Sequence, residues 1–232
     1  MSRLRFPNPL AAAALKSLAF LGYVSCFYLF GHDGRALLWI SLAALLVAVG
    51  LWHERRELIR LVVTAVVMTA TEILLTSDGI YTYRARDLVS VPYWLPVGWA
   101  FFSLIIFRIV RDLSSHWRSE TQQRSAGAGK RLFEILSIPL LAISCHLFWT
   151  NTLACALGSV AFLLVAVRLY PGAMGTLIAV CVPAAAVLEL AAIAGGAWRW
   201  HEPDILGLPL WVPMIYPFLI FANHRLAVAW GR

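Results

Sequence analysis

Apolar residues run through this chain in long stretches with few polar interruptions, at lengths that suit helices rather than strands. Eight such stretches stand out, at 12–30, 36–52, 61–76, 90–107, 132–149, 152–167, 174–194 and 206–222. Crossing a hydrocarbon layer of about 30 Å takes roughly 20 apolar residues in a helix. The pattern therefore predicts an all-α integral membrane protein with about eight transmembrane helices, of which the third or seventh could tilt or break. Polar residues gather in one long interval, 108–131, which ends in a Ser/Gly/Ala segment and reads as a linker. Its Gly127-Ala128-Gly129-Lys130 is not a phosphate loop, because neither Ser nor Thr follows the lysine and no strand precedes it.

The pattern also repeats. Displaced by 117 residues, Glu72 falls on Glu189, Gly79 on Gly196, Tyr81 on Trp198, Tyr83 on Trp200 and Asp87 on Asp204. Without a gap the match continues through Pro92/Pro209, Trp94/Trp211, Pro96/Pro213, Phe101/Phe218 and Arg108/Arg225. Upstream the displacement drifts by a residue or two, as in Leu45–Val49 against Leu163–Val167. The expected organisation is a tandem duplication of a four-helix unit: a first membrane repeat at 1–110, a cytoplasmic linker at 111–131 and a second repeat at 132–232. Two copies of one unit place a shared site at their interface.

Composition narrows the class. With 61% hydrophobic and 13% charged residues, the chain is no ordinary soluble domain. The net charge of +7 is distributed by side rather than clustered in a stripe, so it predicts topology and not a nucleic-acid partner. If the N-terminus is inside, 15 of the 19 lysines and arginines fall on the cytoplasmic side; only Arg35, Arg84, Arg86 and Arg199 fall opposite. That bias predicts cytoplasmic N- and C-termini and location in a bacterial inner membrane. Arg3, Arg5 and Lys16 flank the first apolar stretch and no small-x-small cleavage site follows it, so it reads as a span rather than a cleaved signal. Cys26, Cys145, Cys155 and Cys181 all fall inside predicted spans and read as small buried hydrophobes.

Candidate chemistry centres on the two repeated acids. A carboxyl inside an apolar span usually faces the bundle interior, and desolvation favours its neutral form, which makes Glu72 and Glu189 candidate catalytic proton donors. An interhelical hydrogen bond holding the copies in register is the structural alternative. Tyr81, Tyr83, Trp198 and Trp200 either belong to an interfacial aromatic belt or turn their π faces towards a developing carbocation. Trp94 and Trp211, just inside the following helices, would extend that surface. Asp87 and Asp204 suit a supporting role, capping the next helix or pairing with Arg84, Arg86 or Arg199. Pro-x-Trp-x-Pro opens each following helix, and its second proline is expected to kink or loosen the first turn. His201, Glu202 and Asp204 are close in sequence, but without a second histidine at helical spacing they do not predict a metal, and no cofactor motif is present.

An acid ending a helix, an aromatic nine residues later and a Leu/Val-Pro helix start resemble the membrane-integral lycopene cyclase domain family. Glu189 to Trp198 and on to Pro209 is the nearer match, while Gly79-Ile-Tyr-Thr-Tyr83 and Val91-Pro92-Tyr-Trp-Leu-Pro96 are similar to the related carotenoid hydratases. The resemblance implies protonation of an isoprenoid double bond, with the cation quenched by ring closure or by water. Those cyclases carry Pro-x-Glu-Glu at the helix start; Pro92-Tyr-Trp-Leu and Pro209-Leu-Trp-Val stand there in this chain, leaving Glu72 and Glu189 as the acids that correspond. The expected function is an intramembrane isoprenoid-modifying enzyme, needing no metal or redox cofactor, acting on a polyprenyl or carotenoid-like lipid. The alternative is a small proton-coupled transporter or lipid carrier built from a duplicated bundle.

Overall fold

The computed structural model describes residues 8–52, 57–114 and 150–230, together with 129, 130, 132, 133, 136, 140, 143 and 146–148; of 57 and 226–230 it describes the backbone. Seven helices and two strands have bounds among these residues: α1 (Pro9–Phe30), α2 (Gly34–Trp52), α3 (Glu57–Ser77), β1 (Tyr81–Tyr83), α4 (Leu95–Leu113), α5 (Thr152–Leu169), α6 (Pro171–Ala194), β2 (Trp198–Trp200) and α7 (Val212–Trp230). Most of the expected linker and of the span at 132–149 lies outside the described residues. Side chains set several starts. Asn8 accepts from the Leu10 N–H at 2.9 Å, Asp33 from Arg35 and Ala36 at 3.0 and 3.1 Å, and Asn151 from Ala154 at 3.0 Å. Each supplies an acceptor to first-turn N–H groups that have no helical partner.

Among the described residues the fold is helical apart from β1, β2 and the connecting turns, and five helices (α1, α2, α3, α5 and α6) are long and apolar enough to cross a membrane. They form the outside of the bundle. Trp39 on α2, Leu153 and Leu164 on α5, and Leu18 on α1 expose more than half of their surface. The inward faces of α2 and α5 are narrow: Leu37, Ser41 and Ala48 on one, Cys155, Ser159 and Ala166 on the other. These positions correspond under a displacement of 118, the drifted register of the first half of the sequence repeat.

Inside this ring stand α4 and α7. Every residue of α4 from Gly98 to Val110 is buried. Both inner helices carry strongly polar residues towards their C-termini, Arg108, Arg111 and Asp112 on α4 and Asn223, His224 and Arg225 on α7. Enclosure by neighbours lets a helix keep such groups where they find partners, as Asp112 does with the buried Lys16 ammonium of α1. Close approach tightens one seam between the halves: a side chain at Gly195, at the end of α6, would strike the Phe27 carbonyl of α1.

The segments between the expected spans 61–76 and 90–107, and between 174–194 and 206–222, contain the two strands. β1 and β2 pair antiparallel, with Tyr81 opposite Trp200, Thr82 opposite Arg199 and Tyr83 opposite Trp198. The aromatic-x-aromatic triplets are thus strands whose alternate side chains share a buried face, and three residues are too few for alternation to register in a sequence. After each strand comes a tight turn, Leu88–Val91 or Ile205–Leu208, closed by paired backbone hydrogen bonds. The helices expected at 90–107 and 206–222 therefore start later, at Leu95 and Val212. That shift also corrects the expected kink, because Pro96 and Pro213 fall in the first turn, where a missing N–H costs nothing.

Candidate functional site

Residues 72 and 189 sit near the C-terminal ends of α3 and α6, 7% and 3% exposed, and both line one cavity between the halves. Tyr83 donates its hydroxyl to Glu72 Oε2 at 3.0 Å, and the Trp99 indole N–H donates to Glu72 Oε1 at 3.1 Å. Glu189 accepts from three groups. The indoles of Trp198 and Trp200 reach its Oε2 at 2.9 and 3.1 Å, and the Tyr216 hydroxyl reaches its Oε1 at 2.5 Å. The donors correspond across the halves: 83 with 200 and 99 with 216, each pair separated by the same 117 residues as the acids. The rings of Trp99 and Tyr216 lie 5.3 Å apart and join the two networks.

Local structure explains this placement. Gly79 and Gly196 take left-handed conformations, φ 74° and 75°, immediately after α3 and α6. A left-handed residue reverses the chain at low cost only without a side-chain carbon, which accounts for glycine at both positions. The reversal leads straight into β1 and β2, whose alternation turns Tyr81, Tyr83, Trp198 and Trp200 back towards the helices that hold the acids. Pairing of the strands then brings the four rings together: Tyr81 and Trp200 at 4.4 Å, Tyr83 and Trp198 at 5.6 Å. Trp94, beside the start of α4, lies 6.1 Å from Trp198 at an interplanar angle of 27°, and Phe27 of α1 meets both rings edge-on.

The cavity's wall is apolar and aromatic except at the two carboxyls, the tyrosine hydroxyls and Thr71. That lining is of the kind that holds an apolar small molecule and orients it with a few placed polar groups. Burial, then the neighbouring Glu72 carboxyl, push the Tyr83 hydroxyl well above the ordinary phenol range, so it stays a donor to the acid beside it.

Of the residues expected from sequence, Glu72, Glu189, Tyr81, Tyr83, Trp94, Trp198 and Trp200 line this cavity. Trp211 is placed differently: 1% exposed, it stands behind Trp200 with the rings 5.7 Å apart, and does not line the cavity. It precedes α7 instead of lying just inside the helix, which follows from the late start of α7 at Val212. Asp87 and Asp204 are exposed and outside the cavity; Asp204 accepts the Leu210 N–H at 2.9 Å and so fixes the approach to α7. His201 and Glu202 are exposed as well, and among the described residues no three of His, Cys, Asp and Glu come together. Trp99, Tyr216, Tyr23 and Phe27 were not anticipated. For Trp99 and Tyr216 a signal existed, since they are aromatic in both halves at 27 residues beyond each acid.

Comparisons of the chain with family models, with curated proteins and with solved structures find no match. The reading of function rests on the site itself.

Proposed function

We propose that the chain is an integral membrane protein of about eight spans, a tandem duplication of a four-helix unit, with its termini on the cytoplasmic side of a bacterial inner membrane. Support for the duplication is the correspondence, residue by residue, of acids, donors, left-handed glycines and tight turns at a displacement of 117. Support for the membrane is the set of five apolar helices with large apolar side chains facing outward.

The function is acid-catalysed modification of an isoprenoid, of the cyclase or hydratase type. The observation that carries it is a pair of buried carboxyls, each held by indole and phenol donors, in one otherwise apolar aromatic cavity. A polyprenyl or carotenoid-like tail lies in the cavity with its terminal alkene at one carboxyl. The acid O–H breaks, its electrons remain on oxygen, and the alkene π pair forms the new C–H bond, leaving a cation on the more substituted carbon. The donors on the carboxyl stabilise the carboxylate as it forms, and ring faces within about 6 Å of the cationic carbon stabilise the charge. Ring closure followed by loss of a neighbouring proton, or capture by water followed by loss of one of its protons, ends the sequence. The second carboxyl takes that proton. A positioned acid of this kind contributes roughly 10²–10⁴-fold.

The test is expression of the chain and of its Glu72→Gln and Glu189→Gln variants in isoprenoid-producing cells, with lipid extracts compared by chromatography and mass spectrometry. A glutamate-dependent product heavier by one water marks a hydratase, and one of unchanged mass marks a cyclase. Extracts identical to the empty-vector control across several isoprenoid backgrounds overturn the reading. Uptake of a labelled lipid or proton flux in vesicles carrying the protein would then favour the transporter.

A further inference from the structure

The two carboxyls are alike in their donors and unlike in what lies beneath them. On α3, steps of four residues from Glu72 lead to Met68, Thr64 and Arg60, all buried. At the corresponding places on α6, below Glu189, stand Ala185, Cys181 and Leu177, each 0% exposed. One stripe is polar at two of three positions; the other is apolar throughout. A spacing of four keeps residues on one helix face, and each step descends about 6 Å.

Polar groups of the two inner helices meet the α3 stripe. Asn223 of α7 donates its amide to the Met68 sulfur at 3.0 Å, the Arg60 guanidinium lies 3.5 Å from His224 Nδ1, and the same guanidinium covers the Phe107 ring of α4 at 4.3 Å. Ser103, one turn above Phe107, is fully buried on α4. Three oxygens along this seam, Thr64 Oγ1, Ser103 Oγ and Asn223 Oδ1, are buried and have no hydrogen-bond partner among the described residues. Buried polar atoms are paired with protein or with ordered water in the great majority of cases. Three such oxygens along one seam mark a hydrated strip.

We infer that this seam between α3, α4 and α7 holds a chain of water that carries protons between Glu72 and the Arg60–His224 end of the bundle. Glu72 is accordingly the carboxyl whose proton is replenished from solution, and Glu189, with three donors and an apolar stripe below it, exchanges only through the cavity. Met68 stands at the joint. Its side chain lines the cavity and contacts Asn223, so movement of an unbranched, adaptable thioether connects the seam to the carboxyl or closes it. Each transfer moves one proton along hydrogen bonds from water to water, and the last water protonates the Glu72 carboxylate. The use of that proton rests on the enzymatic reading; the route does not.

The experiment needs no substrate. Purified protein in lipid nanodiscs is moved into D₂O, and the infrared C=O stretch of the protonated carboxyl, assigned by its loss in Glu72→Gln, is followed as it shifts. The expected result is that Thr64→Val combined with Ser103→Ala slows the shift by about an order of magnitude, the scale set by one lost hydrogen-bonding partner. Thr64→Ser keeps the wild-type rate, and so does Cys181→Val on the equivalent stripe of α6. An unchanged rate in the double variant overturns the route, as does the absence of a carboxylic band belonging to Glu72. A melting temperature higher in Thr64→Val than in wild type also overturns it, because removal of a hydroxyl stabilises only a dry seam. A missing lipid product leaves this measurement untouched, so failure of the enzymatic reading and failure of the route are read separately.

Discussion

Glu189 shows how one side chain organises three others. Its Oε2 takes both indole N–H groups and its Oε1 takes the Tyr216 hydroxyl, so the carboxyl is the common acceptor of β2 and α7. In a glutamine the carbonyl oxygen meets the indoles, and the amide donates to a Tyr216 hydroxyl that has only to rotate. Glu189→Gln is therefore expected to melt within about 1 kcal/mol of wild type, whereas Glu189→Ala strands three donors and opens a void, at a cost of roughly 3 kcal/mol or more. Tryptophan fluorescence during thermal unfolding separates the two. The same comparison at Glu72, with two donors, gives the same order and a smaller gap. Loss of product in a variant that melts normally then reports chemistry rather than folding. The acids and the four strand aromatics were legible in the sequence because an acid in an apolar span and a repeated aromatic triplet each break a pattern. Trp99 and Tyr216 break none: an aromatic in an apolar helix is ordinary, and only partnership with the acids in three dimensions gives it meaning.

At the level of elements, the two tight turns lie where local sequence is least typical of its conformation. Val89 and Leu206, equivalent positions at the tips of the two tight turns, have φ of 61° and 52° and expose 79% and 78% of their surface. Left-handed backbone costs about 1 kcal/mol or more in a residue with a branched or bulky side chain, and glycine or asparagine avoids most of it. Leu206 precedes Gly207, itself left-handed at φ 83°, which is the geometry that favours Asn-Gly in a two-residue turn. Leu206→Asn in detergent-solubilised protein should raise stability by about 1 kcal/mol, seen as a higher melting temperature. A lower one shows that the leucine makes a contact of greater worth. The sequence concealed both turns: Leu88–Val91 and Ile205–Leu208 are apolar enough to read as the first turn of a span, and Gly207 by itself is a weak sign of a reversal. The order of the helices among the described residues, in contrast, was legible, since long apolar runs admit few other structures.

For the whole molecule, the division of the cavity between the halves decides what each half does alone. Tyr23, Phe27, Glu72, Tyr83 and Trp99 come from one side of the expected linker, and Glu189, Trp198, Trp200 and Tyr216 from the other. The strands pair only across this boundary, α3 packs on α7, and α1 packs on α6 through the glycine contact at residue 195. Each carboxyl's aromatic surroundings are completed by the opposite half: Trp94 stacks on Trp198, and Trp99 packs against Tyr216. A chain cut within 115–128 and expressed as two pieces is therefore expected to reassemble in the membrane, held by strand pairing and by the aromatic layer. Co-purification of an untagged 1–114 piece with a tagged 129–232 piece measures it. Gly195→Val, which drives a side chain into the Phe27 carbonyl, should abolish capture in the split form while only lowering the melting temperature of the intact chain, where the connection keeps the halves together. Equal capture with and without that substitution would place the energy of association elsewhere than the α1–α6 contact. Pieces that never co-purify would mean that the two halves form one cooperative unit and that the sequence repeat records their ancestry, not their independence.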